Sequence, residues 1–255
     1  MLLTADIGNT NVKIAVFDGD KLRASWRMTT DVHRMADEYA ALLLTLLQQE
    51  RIAASDVKEI AMCNVVPPLT STWIDLSRRY FGTAPLVVGA GVKTGVRIRM
   101  DNPREVGADR IADAVAAYHL YGGPLIIIDL GTATVFATIS KDGDYLGGVI
   151  ATGIATAAEA LYSRTAQLPR VDLVRPRTVI GTNTVSAIQS GLIYGYASLV
   201  EGMIARIQTE LPEKAKVIAT GGYAPIIAKE TPAIEAVNPD LTLIGLRLIY
   251  EMNKS

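Results

Sequence analysis

The sequence predicts an α/β fold built from two similar domains. Three observations carry this. Strand-like apolar runs and helical periodicities succeed each other twice along the chain. The run that opens the second cycle, "PLIIIDLGTATVFATISKDGDYL" (124–146), echoes the opening "LLTADIGNTNVKIAVFDGDKL" (2–22). And 255 residues, 49% of them hydrophobic, can bury two cores. In the echo Asp129 aligns with Asp6 and Gly131 with Gly8, an offset of 123 (129 − 6), while "DGD" at 142–144 matches "DGD" at 18–20 at an offset of 124. One inserted residue between the strands accounts for the difference. A repeat of this period reads as a duplicated domain rather than a solenoid, with the domains at 1–118 and 119–255.

The elements follow in order. Residues 2–7, 12–18 and 21–27 read as three strands joined by tight turns, the second at the hairpin signal Asp18-Gly19-Asp20. Residues 35–50 have helical spacing, with Leu43, Leu46 and Leu47 on one face. A strand is expected at 57–65, a helix at 67–81 with proline suited to its first turn, and a strand at 84–89. A turn-rich stretch then leads into a helix at 108–121, ended by Gly122-Gly123-Pro124. The second cycle repeats three strands. Helices at 154–168 and 183–211, a strand at 214–220, a glycine turn and a terminal helix at 242–253 complete it. The helix at 183–211 carries apolar residues around its circumference (Ile188, Leu192, Ile193, Leu199, Met203, Ile204). That is more than one buried face needs, so it reads as an interface helix or as a core helix.

Composition narrows the functional classes. A formal net charge of −1 gives no basic excess to hold a nucleic-acid backbone. The single cysteine, Cys63, rules out an intrachain disulfide, and with only two histidines a Cys/His zinc site is not expected. Cys63 lies in "EIAMCNVV" and reads as a buried small hydrophobe. The N-terminus has no basic n-region, and the longest apolar run, "YAALLLTLL", falls far short of the ~20 residues of a membrane span. A cytoplasmic protein, with no membrane partner, is the expectation.

The chemistry gathers at the strand ends. A hairpin with glycine and small polar residues exposes backbone N–H groups and lets a bulky anion approach closely. Asn9, Thr10 and Asn11 in one turn, and Thr132 and Thr134 in the other, add hydrogen-bond donors. The carboxylates of Asp6 and Asp129 would repel a bare phosphate and make sense with a cation between. Asp-x-Gly-x-Thr also occurs in turns where the aspartate only accepts backbone N–H bonds. Two copies in equivalent places of a repeat favour the phosphate reading. Neither a GxxxxGK[ST] loop nor a GxGxxG fingerprint is present, so a nucleotide would not be held in either of those ways. "VIATGGYAPIIA" (217–228) runs a strand into a double glycine, which suits either close approach by a flat ring or plain strand-to-helix punctuation. A third acid, Asp109, falls in the first turn of the helix at 108–121, followed by Arg110. It reads as dipole compensation, or as a base that accepts a proton from a substrate hydroxyl while Arg110 grips an anionic end.

Taken in order, these motifs resemble the type III pantothenate kinases of the acetate and sugar kinase/Hsc70/actin superfamily. "DIGNTN" (6–11) is similar to that family's first phosphate motif, "NPREVGADR" (102–110) to its substrate and catalytic motif, and "DLGTAT" (129–134) to its second phosphate motif. "GGVI" (147–150), "LPRV" (168–171), "IGTNTVSAIQSGLIYGY" (180–196) and "TGGYA" (220–224) continue in family order. The resemblance implies two actin-like (ribonuclease H-like) domains, each a mixed sheet of about five strands flanked by helices, with a cleft between them. It implies ATP-dependent phosphorylation of pantothenate to 4'-phosphopantothenate, the first step of coenzyme A biosynthesis, in a homodimer. On the matching positions, Asp6, Ile7, Gly8, Asn9, Thr10, Asn11, Val12, Lys13 and Thr132 would meet ATP. Asp6 would also serve Mg2+, and Asp129 a monovalent cation, K+ or NH4+. Asp109 would be the general base, and Gly107, Ala108, Asp109, Arg110 and Thr184 would line the pantothenate pocket, Thr184 from the partner's side. Met100, Val135, Ala137, Thr152 and Thr182 depart from the family's usual residues. A sugar or acetate kinase or a phosphatase of the same superfamily, a kinase with another small-acid substrate and a non-catalytic nucleotide-binding regulator are the alternatives. The "GADR" stretch argues against the first of these, and the intact acids Asp6, Asp109 and Asp129 argue against the last.

Overall fold

The structure, a computed structural model, describes residues 1–254. The chain forms β1 (Leu2–Ile7), β2 (Asn11–Asp18), β3 (Lys21–Thr29), α1 (Ala36–Gln49), β4 (Glu59–Asn64), α2 (Leu69–Phe81), β5 (Leu86–Val87) and α3 (Ala108–Tyr121). It continues with β6 (Leu125–Leu130), β7 (Ala133–Ile139), β8 (Tyr145–Thr152), α4 (Ile154–Arg164), α5 (Thr184–Glu210), β9 (Lys216–Thr220), α6 (Ala224–Ile227), β10 (Ala236–Val237) and α7 (Leu241–Asn253). Two compact units result. Unit 1 takes Met1–Val96, Asn102–Ala116 and the chain from Asp240 on; unit 2 takes Arg97–Asp101 and Ala117–Pro239. The chain crosses between them inside α3, two residues before the 118/119 division that the repeat suggests. The terminal helix, however, belongs to unit 1, so the units are not two contiguous stretches.

The duplication is visible in the sheets. Unit 1 has five strands in the order β3-β2-β1-β4-β5, and unit 2 has five in the order β10-β9-β6-β7-β8. In each, the first three strands form an antiparallel meander and the remaining two add in parallel. The registers locate the offset differently from a single insertion. Asp6 faces Lys13 across β1 and β2, seven residues on, whereas Asp129 faces Val135, six residues on. The first turn is thus one residue shorter in unit 2. The hairpin after it is longer, because β3 begins eight residues after Lys13 and β8 begins ten after Val135. That longer loop is closed by Ser140, whose hydroxyl accepts the Asp142 and Asp144 N–H groups (3.2 and 3.0 Å).

In unit 1 the period of two along a strand sorts side chains onto two faces. Leu3, Ala5 and Ile7 of β1 pack with Tyr39, Leu43 and Leu47 of α1 and with Leu69, Trp73 and Leu76 of α2. Leu2, together with Ala61 and Cys63 of β4, packs with Ala112 and Val115 of α3 and Leu246 and Ile249 of α7. Asp6 shares the parity of Leu2, so the α3/α7 face receives it. In unit 2, Ile126, Ile128 and Leu130 of β6 pack with Leu192, Ile193, Tyr196 and Val200 of α5.

Several boundaries differ from the sequence reading. α2 begins at Leu69 with Pro68 as its N-cap, so the prolines precede the first turn. α4 stops at Arg164 because Thr165 turns extended, with ψ 152°; residues 165–183 have no helix or strand. The second sheet gains a fifth strand, β10, only two residues long. On α5 all six apolar residues named above belong to, or pack on, the core of unit 2. No helix among the described residues is long and apolar enough to cross a membrane.

Candidate active site

The tip of β1 in unit 1 is built around one buried carboxylate. Asp6 is 6% exposed. It lies beside Cys63 in the parallel β1–β4 register and beside Lys13 in the antiparallel one. The Cys63 thiol donates to Asp6 Oδ1 at 3.3 Å, and Lys13 Nζ stands 3.6 Å from Oδ2. Burial lifts the Asp6 carboxyl above its ordinary value of 3.8; Lys13 pulls the other way, and the nearby charge of Asp109 adds to the lift. Burial likewise pushes the Cys63 thiol well above 9.0, helped by Asp6, Asp109 and Asp113. Cys63 is therefore more than a small hydrophobe: it is a hydrogen-bond donor inside a group of acids. Only the strand register could have revealed that.

Past Asp6 the chain turns back. The Gly8 N–H bonds the Asn11 carbonyl (3.1 Å), and Thr30, just past β3, binds the turn through its hydroxyl to the Gly8 carbonyl (2.6 Å) and its N–H to the Thr10 carbonyl (3.0 Å). Ile7 and Val12 are buried, while Asn9, Thr10 and Asn11 form an exposed rim. A pinned backbone with exposed donors suits a phosphate chain.

Asp109 enters from α3. Its Oδ1 accepts the Arg110 backbone N–H (2.8 Å). Gly107 lies so close that a Cβ there would run into the same oxygen. Arg110 sends its guanidinium to the Glu105 carbonyl (2.9 Å). The stretch before it is a 3-10 turn, Pro103–Glu105, capped by Asn102, whose side chain accepts the Arg104 N–H and donates to Glu105 Oε1. Gly107, Ala108, Asp109 and Arg110 thus form one partly exposed surface of unit 1.

Unit 2 repeats the strand tip with different neighbours. Asp129 ends β6 opposite Val135 and Thr220, so the cross-strand place of Lys13 is apolar here. The Gly131 N–H bonds the Ala133 carbonyl (3.0 Å), as Gly8 does in unit 1. The Thr132 carbonyl accepts the Gly153 N–H (3.2 Å) and the Thr156 hydroxyl (2.8 Å), which ties this turn to the start of α4. Thr132 is exposed; Thr134 is fully buried in β7 with its hydroxyl unbonded, so it adds no donor to the turn. Gly221, with φ +91°, seats its backbone against Asp129. A Cβ there would strike Oδ1 and lie 2.6 Å from the Leu130 carbonyl oxygen. The glycine turn after β9 is therefore shaped for close approach to Asp129, a role that sequence spacing alone leaves undecided.

These donors bear on which ions the residues can hold. A divalent ion shared with phosphates takes one or two protein carboxylates and fills its remaining shell with water and phosphate oxygens. Asp6, beside the β1–β2 turn, fits that pattern. The Asp129 carboxylate and the Leu130 carbonyl, both beside Gly221, are hard oxygen donors that suit a hard cation. Among the described residues no group of three His, Cys, Asp or Glu forms a metal cage. Thr184, the first residue of α5, is exposed on a groove of unit 2 of about 1140 Å³, bordered by Thr152, Leu161, Leu168 and Tyr196. Its helix starts at Asn183, whose side chain accepts the Ser186 N–H at 2.9 Å.

Two duplicated five-stranded α/β units, each with an acid at the tip of its first strand, define the fold class shared by sugar kinases and actin-like proteins. A ROK family glucokinase from Streptomyces griseus aligns over 98% of this chain and 99% of its own at 13% identity, TM-score 0.54. A conserved Baf family protein from Campylobacter jejuni, described as a candidate transcriptional activator, aligns over 98% of both chains at 19% identity, TM-score 0.63. At these identities the likeness shows the fold. The family follows from sequence: the type III pantothenate kinase model matches residues 2–206. The type III pantothenate kinase of Dehalococcoides mccartyi strain 195 is 56% identical over 254 residues, 100% of this chain and 98% of that protein, and that of strain CBDB1 is 55% identical over 253. The chain belongs to the type III pantothenate kinase family.

Proposed function

We propose that the turns described above divide the work of the family's reaction, ATP-dependent phosphorylation of pantothenate in coenzyme A biosynthesis. The Asp6–Lys13 turn and Thr132 hold the ATP phosphates. Gly107, Ala108 and Arg110 hold pantothenate, with Thr184 contributed by a second copy in a homodimer. Asp109 is the general base. The pantothenate hydroxyl oxygen attacks the γ-phosphorus as the bond to the β–γ bridging oxygen breaks; the hydroxyl proton passes to Asp109, and ADP leaves. The transition state of such a transfer is loose, so Asp109 serves mainly by positioning the hydroxyl. Asp6 would hold the divalent ion, which we assign as Mg2+ and which would neutralise phosphate charge; Asp129 would hold K+ or NH4+. The expected setting is the cytoplasm.

The observation that carries this reading is the Asp6–Lys13 pair at the tip of β1, where the charge of Asp109, in the first turn of α3, adds to the lift on the Asp6 carboxyl. Asp109→Asn tests it. Turnover, followed as phosphopantothenate formed, should fall by about three orders of magnitude or more, within the range that general-base and positioning effects supply together. ATP binding should stay nearly intact. Full activity in the variant would remove the base assignment. Wild-type protein that binds ATP but phosphorylates none of a panel of small hydroxylated acids would favour a regulator instead.

A further inference from the structure

The reaction as assigned leaves α7 without a part, yet this helix makes a polar contact in the core next to the site. Thr242, in its first turn, donates from its hydroxyl to Oδ1 of Asp113 on α3 at 2.7 Å. The two residues are 3% and 4% exposed. One turn further, Gly245 rests on the Ala112 carbonyl so closely that a Cβ would run into that oxygen and lie 2.9 Å from Ala112 Cα. Leu246 and Ile249 join Ala112 and Val115 in one core cluster. The grip of α7 on α3 therefore falls at residues 112 and 113.

Asp113 stands four residues after Asp109, on the same face of α3 and one turn along it. Asp109 itself sits in the first turn, where helices fray. Burying one carboxylate a turn from another costs free energy that an apolar contact would not. A polar contact adds direction, however: it fixes how far one helix is rotated against the other, which hydrophobic packing fixes less sharply.

We infer that Thr242 is a positioning residue for the phosphoryl transfer, acting through Asp113 to set the rotation of α3 and with it the place of the Asp109 carboxylate. The inference rests on Asp109 being the base. Helix geometry sets the scale. A carboxylate about 6 Å from a helix axis moves about 1 Å when the helix turns by about 10°, and a misplacement of 1 Å can cost on the order of 100-fold in rate. With the Gly245 contact and the apolar packing still in place, loss of the Thr242 donor gives part of that.

The test compares Thr242→Val, which keeps the shape and loses the donor, with Thr242→Ser, which keeps the donor, and with Asp109→Asn. All are measured in the full-length protein with pantothenate and MgATP, alongside backbone hydrogen exchange of residues 108–116. Thr242→Val should lower kcat about tenfold, leave KM for MgATP within about twofold, and speed exchange across that segment. Thr242→Ser should stay within about twofold of the wild type in each readout. A contact that is only structural would lower the melting temperature and the yield of folded protein while kcat per ATP-binding site stayed unchanged; that result overturns the inference. A serine variant as impaired as the valine variant overturns it too. If Asp109→Asn is inactive while Thr242→Val turns over at the wild-type rate, the base stands and the positioning role falls. If Asp109→Asn is active, the base reading itself has failed, whatever Thr242 does. Should Thr242→Val not fold, Thr242→Ala is read by the same criteria.

Discussion

Gly107→Ala separates the site from the fold that carries it. Gly107 is not among the residues with positive φ, so an alanine backbone is unstrained there. The added Cβ would nevertheless meet Asp109 Oδ1 first, with Arg110 Nε at 3.5 Å and Asp109 Cγ at 3.6 Å. To regain normal contact the carboxylate must retreat by about 1 Å. It can do so by rotating, because it is the end of a short, partly exposed side chain; the cost to folding is small. The cost to function is not, because the retreat takes Oδ1 away from the Arg110 N–H it now accepts at 2.8 Å. A shift of that size lowers kcat on the order of 100-fold. Meanwhile, replacing glycine at an unstrained position adds about 0.4–1 kcal/mol of stability through the unfolded chain. Steady-state kinetics by coupled ADP release, paired with a thermal melt, reads both. The expectation is a melting temperature equal to or slightly above the wild type with kcat lowered about 100-fold. A variant with full kcat and an unchanged melt would show that the Asp109 position does not govern the rate.

Further outcomes follow from the second turn and the buried thiol. Gly221→Ala places a side chain at φ +91° and against the Leu130 carbonyl, a backbone atom that cannot rotate aside. It should cost about 2–3 kcal/mol in denaturant unfolding and abolish the response of the rate to potassium; a stable, potassium-responsive variant would contradict the role given to Asp129. Because burial holds the Cys63 thiol well above 9.0, thiolate is disfavoured and its reactivity should not rise between pH 7 and 9 as that of a free thiol does. Modification by a disulfide reagent should track global unfolding in denaturant, and fast stoichiometric reaction of the native protein would show the thiol to be open.

How far the sequence revealed this arrangement depends on whether the signal was local. β1 and β6 were legible because each is a continuous apolar run that ends on an acid and a glycine. α3 was legible to the residue, since Gly107 and Gly122 bracket a clean helical period. The end of α4 was not: "SRTAQL" keeps its helical composition, while the break at Thr165 is a backbone property. β10 escaped because two residues carry no period. The terminal helix was counted with the second half by contiguity, although its partners, Ala112 and Val115, lie in unit 1. The same limit applies at the site. Asp6, Asp109 and Asp129 could be singled out by motif, but the thiol on Asp6, the glycine backbone against Asp129 and the threonine on Asp113 join residues 57, 92 and 129 positions apart. Contacts of that range are fixed by strand register and helix packing and leave no short-range trace.

The central claim is that Asp6 and Asp129 each take part in the proposed binding of MgATP. Calorimetric titration of MgATP, in potassium buffer, into the wild type and into Asp6→Ala and Asp129→Ala measures it most directly. The account predicts that each variant alone binds at least about tenfold more weakly, with the protein still folded, since each removes a charged partner of the phosphate–cation assembly. Wild-type affinity in either variant would contradict it.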